Sequence, residues 1–193
     1  YTHIKGDGED KVTLMVYMVG SDLESDGGAA SEDIAEMTAT NADNINITLQ
    51  TGGAAAWENA SISDGKTERH IIKNGELQNV ENLGETQMTS PNTLTDFIKW
   101  SASNYPADRY ELVLWNHGGG TALGFGYDEM YPDDMLSLSQ IGNALSDSGI
   151  KFDIVGFDAC LMGTIETAYM LEPYADYLVA SEEYEPGTGW YYS

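Results

Sequence analysis

The chain has a single cysteine, Cys160, so no intrachain disulfide can form. Basic residues are nearly as scarce. Eight Lys and Arg stand against 32 Asp and Glu, for a net charge of −24. Phosphate recognition needs clustered Lys and Arg, so nucleic acid is excluded as a natural partner and an anionic membrane surface is disfavoured. No run of 18 apolar residues occurs, so no membrane span is expected, and no signal peptide is present. The dinucleotide pattern Gly-x-Gly-x-x-Gly is missing, as is the lysine of a phosphate-binding loop. With one Cys and three scattered His, no spacing suits zinc.

What remains is globular: 193 residues, 41% apolar and 10% aromatic, enough for one α/β domain with its own core. The acidity is lopsided. After Arg109 the only basic residue is Lys151, against fourteen acidic ones. Such a field favours solubility, and it also speeds the encounter with a cationic substrate. Tyr1 is not an initiator Met and the chain stops at Gly189-Trp190-Tyr191-Tyr192-Ser193, so the sequence reads as a fragment of a longer polypeptide.

The stretch through Asp10, with His3 in it, reads as a polar lead-in. Val12 to Val19 is almost continuously apolar, the mark of a strand covered on both faces in a parallel sheet. Gly20 to Gly28 reads as a loop. Ala29 to Met37 follows as a helix, with Ser31 its candidate N-cap. A second strand runs from Ile45 to Thr51. Arg69 to Asn74 and Glu76 to Val80 flank Asn74-Gly75, a hairpin signal; His70 sits in that hairpin as a structural or exposed residue. Pro91 to Asn104 has helical spacing. Glu111 to Trp115 is the third core strand, residues 121–136 a loop, and Leu138 to Leu145 a helix. Phe152 to Phe157 is the fourth strand, Leu161 to Leu171 a helix and Tyr177 to Ala180 the fifth strand.

Strands alternating with helices imply βαβ crossovers and a mostly parallel sheet flanked by helices. Ligands of such sheets bind beyond the carboxyl ends of the strands. That rule singles out Asp22, His117, Cys160 and Ser181. His117 and Cys160 each follow a strand, so adjacent parallel strands would bring them together. A thiolate is the nucleophile, and a thiol at a helix N-terminus has its pKa lowered by the helix dipole; an imidazole beside it can take the thiol proton and later protonate the leaving amine. Gly118 allows close backbone approach to a carbonyl, and its amide with that of Cys160 suits an oxyanion hole. Two other readings stay open on spacing alone: glycines 118–120 cradling a phosphate in a nucleotide-binding domain, or an inert core.

An apolar strand ending in His-Gly, then one ending in Ala-Cys, resembles the caspase–legumain–gingipain clan of cysteine peptidases. Three stretches are similar to the clostripain family in particular: Tyr105-Pro106-Ala107-Asp108-Arg109-Tyr110 leading to Leu114-Trp115-Asn116-His117-Gly118-Gly119-Gly120, Phe157-Asp158-Ala159-Cys160-Leu161-Met162-Gly163, and Ala180-Ser181-Glu182-Glu183 with Glu185-Pro186-Gly187-Thr188-Gly189-Trp190. The caspase pattern Gln-Ala-Cys is absent, because Asp158 stands before Ala159.

The resemblance implies a caspase-like three-layer sandwich with a β-hairpin insertion. It also implies a single peptidase domain over residues 1–193 that stops short of the family's full length. It gives His117 and Cys160 catalytic roles, and Asp158 the acidic place in the S1 pocket of members that cleave after Arg or Lys. A carboxylate so near a thiolate is better used to hold a substrate cation than to activate sulfur. Ser181 is a further candidate for the substrate cleft. Glu182, Glu183 and Glu185 offer a calcium site, a supplement to the pocket or a solvated loop; no cofactor is otherwise required. Peptides or proteins with basic residues are the implied partners, together with a C-terminal segment beyond this chain, and a secreted or surface location in a bacterium is implied. Family members are often activated by cleavage after a basic residue between the His and the Cys, and here Lys151 alone stands between them. A degenerate, non-catalytic binding module on the same fold is the rival expectation.

Overall fold

The computed structural model describes residues 9–40 and 44–193. The polar lead-in before Glu9, with His3, lies outside the described residues. In chain order the elements are β1 (Val12–Val19), α1 (Ser21–Ser25), α2 (Ala29–Ala39), β2 (Ile45–Gly52), β3 (Glu68–Lys73), β4 (Glu76–Asn82), α3 (Pro91–Asn104), β5 (Arg109–Trp115), α4 (Gly120–Leu123), α5 (Leu138–Ser148), β6 (Phe152–Asp158), α6 (Ile165–Leu171) and β7 (Ala175–Val179).

One seven-stranded sheet has the order β4-β3-β2-β1-β5-β6-β7. Strands β2, β1, β5, β6 and β7 run parallel, and β3 and β4 add an antiparallel hairpin at one edge. Asn74 and Gly75 close the hairpin with φ of 54° and 76°, the left-handed pair that a two-residue turn of matching twist requires. The sheet is thus a mixed α/β sheet flanked by helices, as expected.

Alternation along β1 sorts the two faces. Met15, Tyr17 and Val19 point into a core shared with Leu94, Phe97 and Ile98 of α3 and Ile141 and Leu145 of α5. Val16 and Met18 point the other way, against Ala30, Ile34 and Met37 of α2 and against Trp57. With both faces covered, β1 is buried along nearly its whole length, which is why it reads as a continuous apolar run.

Several boundaries differ from expectation. Two short helices, α1 and α4, sit where loops were expected. Ser31 is not the N-cap of α2. Gly28 caps it at φ 65°, and Ser31, inside the helix, binds the Glu24 carboxylate through its N–H (2.9 Å) and its hydroxyl. The last strand starts at Ala175, two residues before the expected Tyr177. The helix expected from Leu161 begins only at Ile165, capped by Thr164, whose hydroxyl accepts the Thr167 N–H.

Candidate active site

The register of two parallel strands sets the site. Trp115 at the end of β5 pairs with Asp158 at the end of β6, and the Asn116 N–H extends the ladder to the Asp158 carbonyl at 3.2 Å. His117 and Cys160 each lie two residues past that pair, so they emerge at the same level. Both line one cleft of about 200 Å³ beyond the carboxyl ends of the strands. Gly118 packs on the backbone of Cys160: a Cβ placed on it would run into the Cys160 carbonyl oxygen. Gly118 and Phe125 form an antiparallel bridge, through Gly119 N–H to Gly124 O (2.8 Å) and Gly126 N–H to His117 O (3.0 Å).

Cys160 sits in a turn rather than on a helix N-terminus, because Leu161 takes φ 62° and α6 starts five residues on. A helix terminus reaches little beyond its first turn, so α6 does not serve the sulfur. A backbone amide does: Glu185 N–H points at Sγ at 3.3 Å. The turn is pinned by Leu161 N–H to Glu183 O (3.0 Å) and Gly163 N–H to Ser181 O (2.7 Å). Ser181, a cleft candidate from sequence, is not among the cleft-lining residues. Its hydroxyl donates to the Glu183 carbonyl (2.9 Å) and accepts the Glu183 N–H (3.2 Å), so it shapes the segment that holds the Cys160 turn.

His117 Nε2 lies 2.9 Å from Asp22 Oδ1, with both side chains partly exposed. Asn116, buried beside it, donates to the Val19 carbonyl (2.5 Å) and to Ser21 Oγ (2.8 Å) and accepts the Tyr127 N–H (2.5 Å). One side chain therefore ties the end of β5 to the end of β1.

Asp158 is 5% exposed at the cleft floor. Its Oδ2 accepts the Trp190 N–H at 3.2 Å and the Tyr192 hydroxyl at 2.8 Å. Glu185 neighbours Asp158, and the two carboxyl groups interact by hydrogen bonding. Trp190 rests against Gly156, where any side chain would meet its ring, and its Nε1–H donates to Glu185 Oε1 at 3.2 Å. The segment 185–192 thus forms a wall of the pocket.

Asp158, Glu185 and Asp33 around this cleft resist ionisation. Burial raises Asp158, against the hydrogen bonds from Tyr192, Trp190 and Glu185. Burial raises Glu185 too, with the Asp158 charge adding to it. Asp33 receives the Trp115 indole N–H at 2.7 Å, yet burial and the charges of Asp158, Glu36 and Glu32 push it to about 7. Glu32, Asp33, Asp158 and Glu185 all line the cleft, and among the described residues its lining holds no Lys or Arg. An incoming cation would be the first positive side chain among them.

Sequence reasoning passed over Asp33, Trp190 and Tyr192, whose roles depend on contacts across more than thirty residues; the Trp190 approach had a signal in Gly156, a glycine inside a buried strand. Among the described residues no three or more His, Cys, Asp or Glu side chains converge as a metal site, and no helix is long and apolar enough to cross a membrane.

The fold is a mixed α/β class, a single sheet flanked by helices with a cleft beyond the carboxyl ends of its parallel strands. The clostripain family model matches residues 16–193, and the chain belongs to that family. Clostripain from Hathewaya histolytica is 36% identical over 56% of this chain, which is 24% of its own length. A secreted C11 cysteine protease from Bacteroides thetaiotaomicron, solved with an irreversible peptide inhibitor, superposes with TM-score 0.76 at 24% identity, covering 94% of this chain and 51% of that one. An inactive zymogen C11 protease from Parabacteroides distasonis superposes with TM-score 0.69 at 26% identity, again covering 94% of this chain and 51% of that one. The chain spans about half the length of these structures and about a quarter of the curated relative.

Proposed function

We propose that the protein is a cysteine endopeptidase that hydrolyses peptide bonds after Arg or Lys. The observation that carries the reading is the convergence of His117, Cys160 and Asp158 on one cleft lined, among the described residues, by carboxyl groups and by no Lys or Arg. His117 takes the Cys160 proton and the sulfur attacks the scissile carbonyl carbon. The carbonyl π pair moves onto oxygen, where the amides of Gly118 and Cys160 hold it. Collapse breaks the C–N bond, and the imidazolium gives its proton to the leaving amine. Water, deprotonated by His117, then attacks the thioester. The C–S bond breaks and the thiol regains its proton.

Asp158 receives the guanidinium or ammonium of the residue before the cut. The carboxyl groups with raised pKa support this role: a cation among them removes the cost of ionising them in a desolvated cleft. These steps use protein groups alone, so cleavage is expected without added calcium. Secretion from a bacterium fits the secreted C11 cysteine protease from Bacteroides thetaiotaomicron that this chain resembles. Hydrolysis of a fluorogenic peptide library varied at the residue before the cut, with Cys160→Ala alongside and with EDTA, tests the reading. Cysteine-dependent cleavage after Arg or Lys is expected. Cleavage that survives Cys160→Ala, or a preference for another residue, would contradict it.

A further inference from the structure

Asp22 has no part in the cycle just described, yet its carboxylate meets the His117 ring at 2.9 Å. An ionised carboxylate only accepts hydrogen bonds, so the ring nitrogen facing it, Nε2, must carry hydrogen. The lone pair of the neutral ring is then on Nδ1. We propose that Asp22 is a positioning residue of the peptidase site: it holds His117 in the Nε2–H tautomer, leaves Nδ1 to take the Cys160 proton, and stabilises the imidazolium that results. This rests on the Cys–His reading.

The local structure is arranged to present that carboxylate. Ser21, just before Asp22, has φ 52°, a left-handed conformation that a residue with a Cβ adopts only when its surroundings impose it. Those surroundings are explicit. Ser21 N–H donates to Gly53 O (3.2 Å) and Ser21 Oγ accepts from Asn116. Asn116 immediately precedes His117, so one buried amide sets the positions of both partners. Helix α1 has five residues, too few to be stable alone. It is anchored through Glu24, buried and bound by Ser31 and by the Glu58 N–H (2.8 Å), and through Ser25, whose hydroxyl donates to Glu129 Oε2 (2.5 Å).

The pair is not explained as a stabilising ion pair. Its side chains are 40% and 46% exposed, and such pairs contribute little to folding. Burial pushes Asp22 up, but the hydrogen bond from His117 and the charge of its imidazolium outweigh that and hold it below the usual carboxylate range. The other titratable groups lining the cleft are Cys160, Asp158, Glu185, Asp33 and Glu32, and substitution of Asp22 leaves all of them in place.

Two measurements on the full chain test the proposal. The first is steady-state hydrolysis of an Arg peptide by wild type, Asp22→Asn and Asp22→Glu. The expected loss for Asp22→Asn is about 100-fold in kcat, with KM and melting temperature nearly unchanged and with partial rescue by Asp22→Glu. The limb of the pH profile that reports imidazole deprotonation moves to lower pH, because the anion favouring the charged ring is gone. An unchanged kcat and pH profile, or a loss that tracks melting temperature, overturns the proposal. The second is the imidazole ¹⁵N spectrum in Cys160→Ala, with His117 assigned by its own substitution. Nε2 is expected protonated and Nδ1 unprotonated, with this preference lost in Asp22→Asn. A ring protonated on Nδ1, or one indifferent to Asp22, overturns the proposal without any need for turnover. A wild-type chain with no cysteine-dependent cleavage would instead sink the peptidase reading, whatever the spectrum shows.

Discussion

The Tyr192 hydroxyl donates to Asp158 Oδ2 at 2.8 Å, joining a residue close to the end of the chain to the end of strand β6. A donor on a carboxylate favours its charged form, so this bond helps to keep Asp158 available for a cation. Tyr192→Phe removes it. The expected outcome is a KM for Arg peptides that rises several-fold, with its pH dependence displaced to higher pH because Asp158 becomes harder to ionise. The loss of one hydrogen bond to a charged group is expected to cost about 2 kcal/mol in urea unfolding. A KM that does not move at any pH would separate Tyr192 from the pocket.

Gly118→Ala tests the contact between the two halves of the site. The new Cβ meets the Cys160 carbonyl, which is backbone and has no rotamer to retreat into. Overpacking of this kind costs about 1–3 kcal/mol, and the strain falls on the two segments that bear His117 and Cys160. Activity is expected to fall far more than the stability loss implies. Normal turnover in a stable Gly118→Ala protein would show that the close approach is not needed.

Gly156→Val tests the seat of the 185–192 segment. A side chain at 156 occupies the space of the Trp190 ring, so the segment should lift from Asp158. The expected signature is increased solvent exposure of Trp190 fluorescence, read against a Trp190→Phe control, together with weaker discrimination for Arg. An unchanged emission spectrum would mean that the ring packs elsewhere.

Stability should respond to acid through two buried groups of opposite sign. His70 is fully buried, held to about 4 by desolvation despite Glu68 nearby, against 6.5 for an ordinary His. A group whose folded pKa is depressed costs stability as pH falls from the unfolded to the folded value, so His70 removes up to about 3 kcal/mol between pH 6.5 and 4. Asp33, raised from 3.8 to about 7, acts in the reverse sense and lowers stability as pH rises through that window. Asp158 and Glu185, also raised by burial, act in the same sense as Asp33. Asp33→Asn should expose the His70 slope, with stability falling more steeply on acidification, and a slope no different from wild type would contradict the assignment of Asp33.

Much of the fold was legible because burial on both faces leaves a simple trace. Val12 to Val19 and Pro91 to Asn104 fall within the bounds their apolar spacing suggested. The Asn74-Gly75 turn announced its hairpin. The stretch after Cys160 misled because Leu161 and Met162 have helical character, whereas the chain needs a left-handed turn there to keep the sulfur facing the Glu185 amide; Thr164, three residues before Thr167, was the local cap signal. His117 and Cys160 could be found because each ends a strand, and neighbouring parallel strands deliver their ends to one edge. Asp22, just past the first strand, was placed to hydrogen-bond near the site and does so with His117; the contacts of Tyr192 and Asp33 were not legible, since they depend on where distant segments return to the sheet. Lys151, the one basic residue between His117 and Cys160, pairs with Asp176 at 3.4 Å beside β6.

The central claim is that Cys160 and the carboxyl-lined cleft act together on a basic residue. The most direct measurement is the ratio of kcat/KM for matched peptides with Arg and with Leu before the cut, in wild type, Cys160→Ala and Asp158→Ala. A large ratio in favour of Arg is expected, with no turnover without Cys160 and collapse of the ratio in an Asp158→Ala protein that still folds. A ratio near one in wild type, or an Arg preference that survives Asp158→Ala, would contradict it.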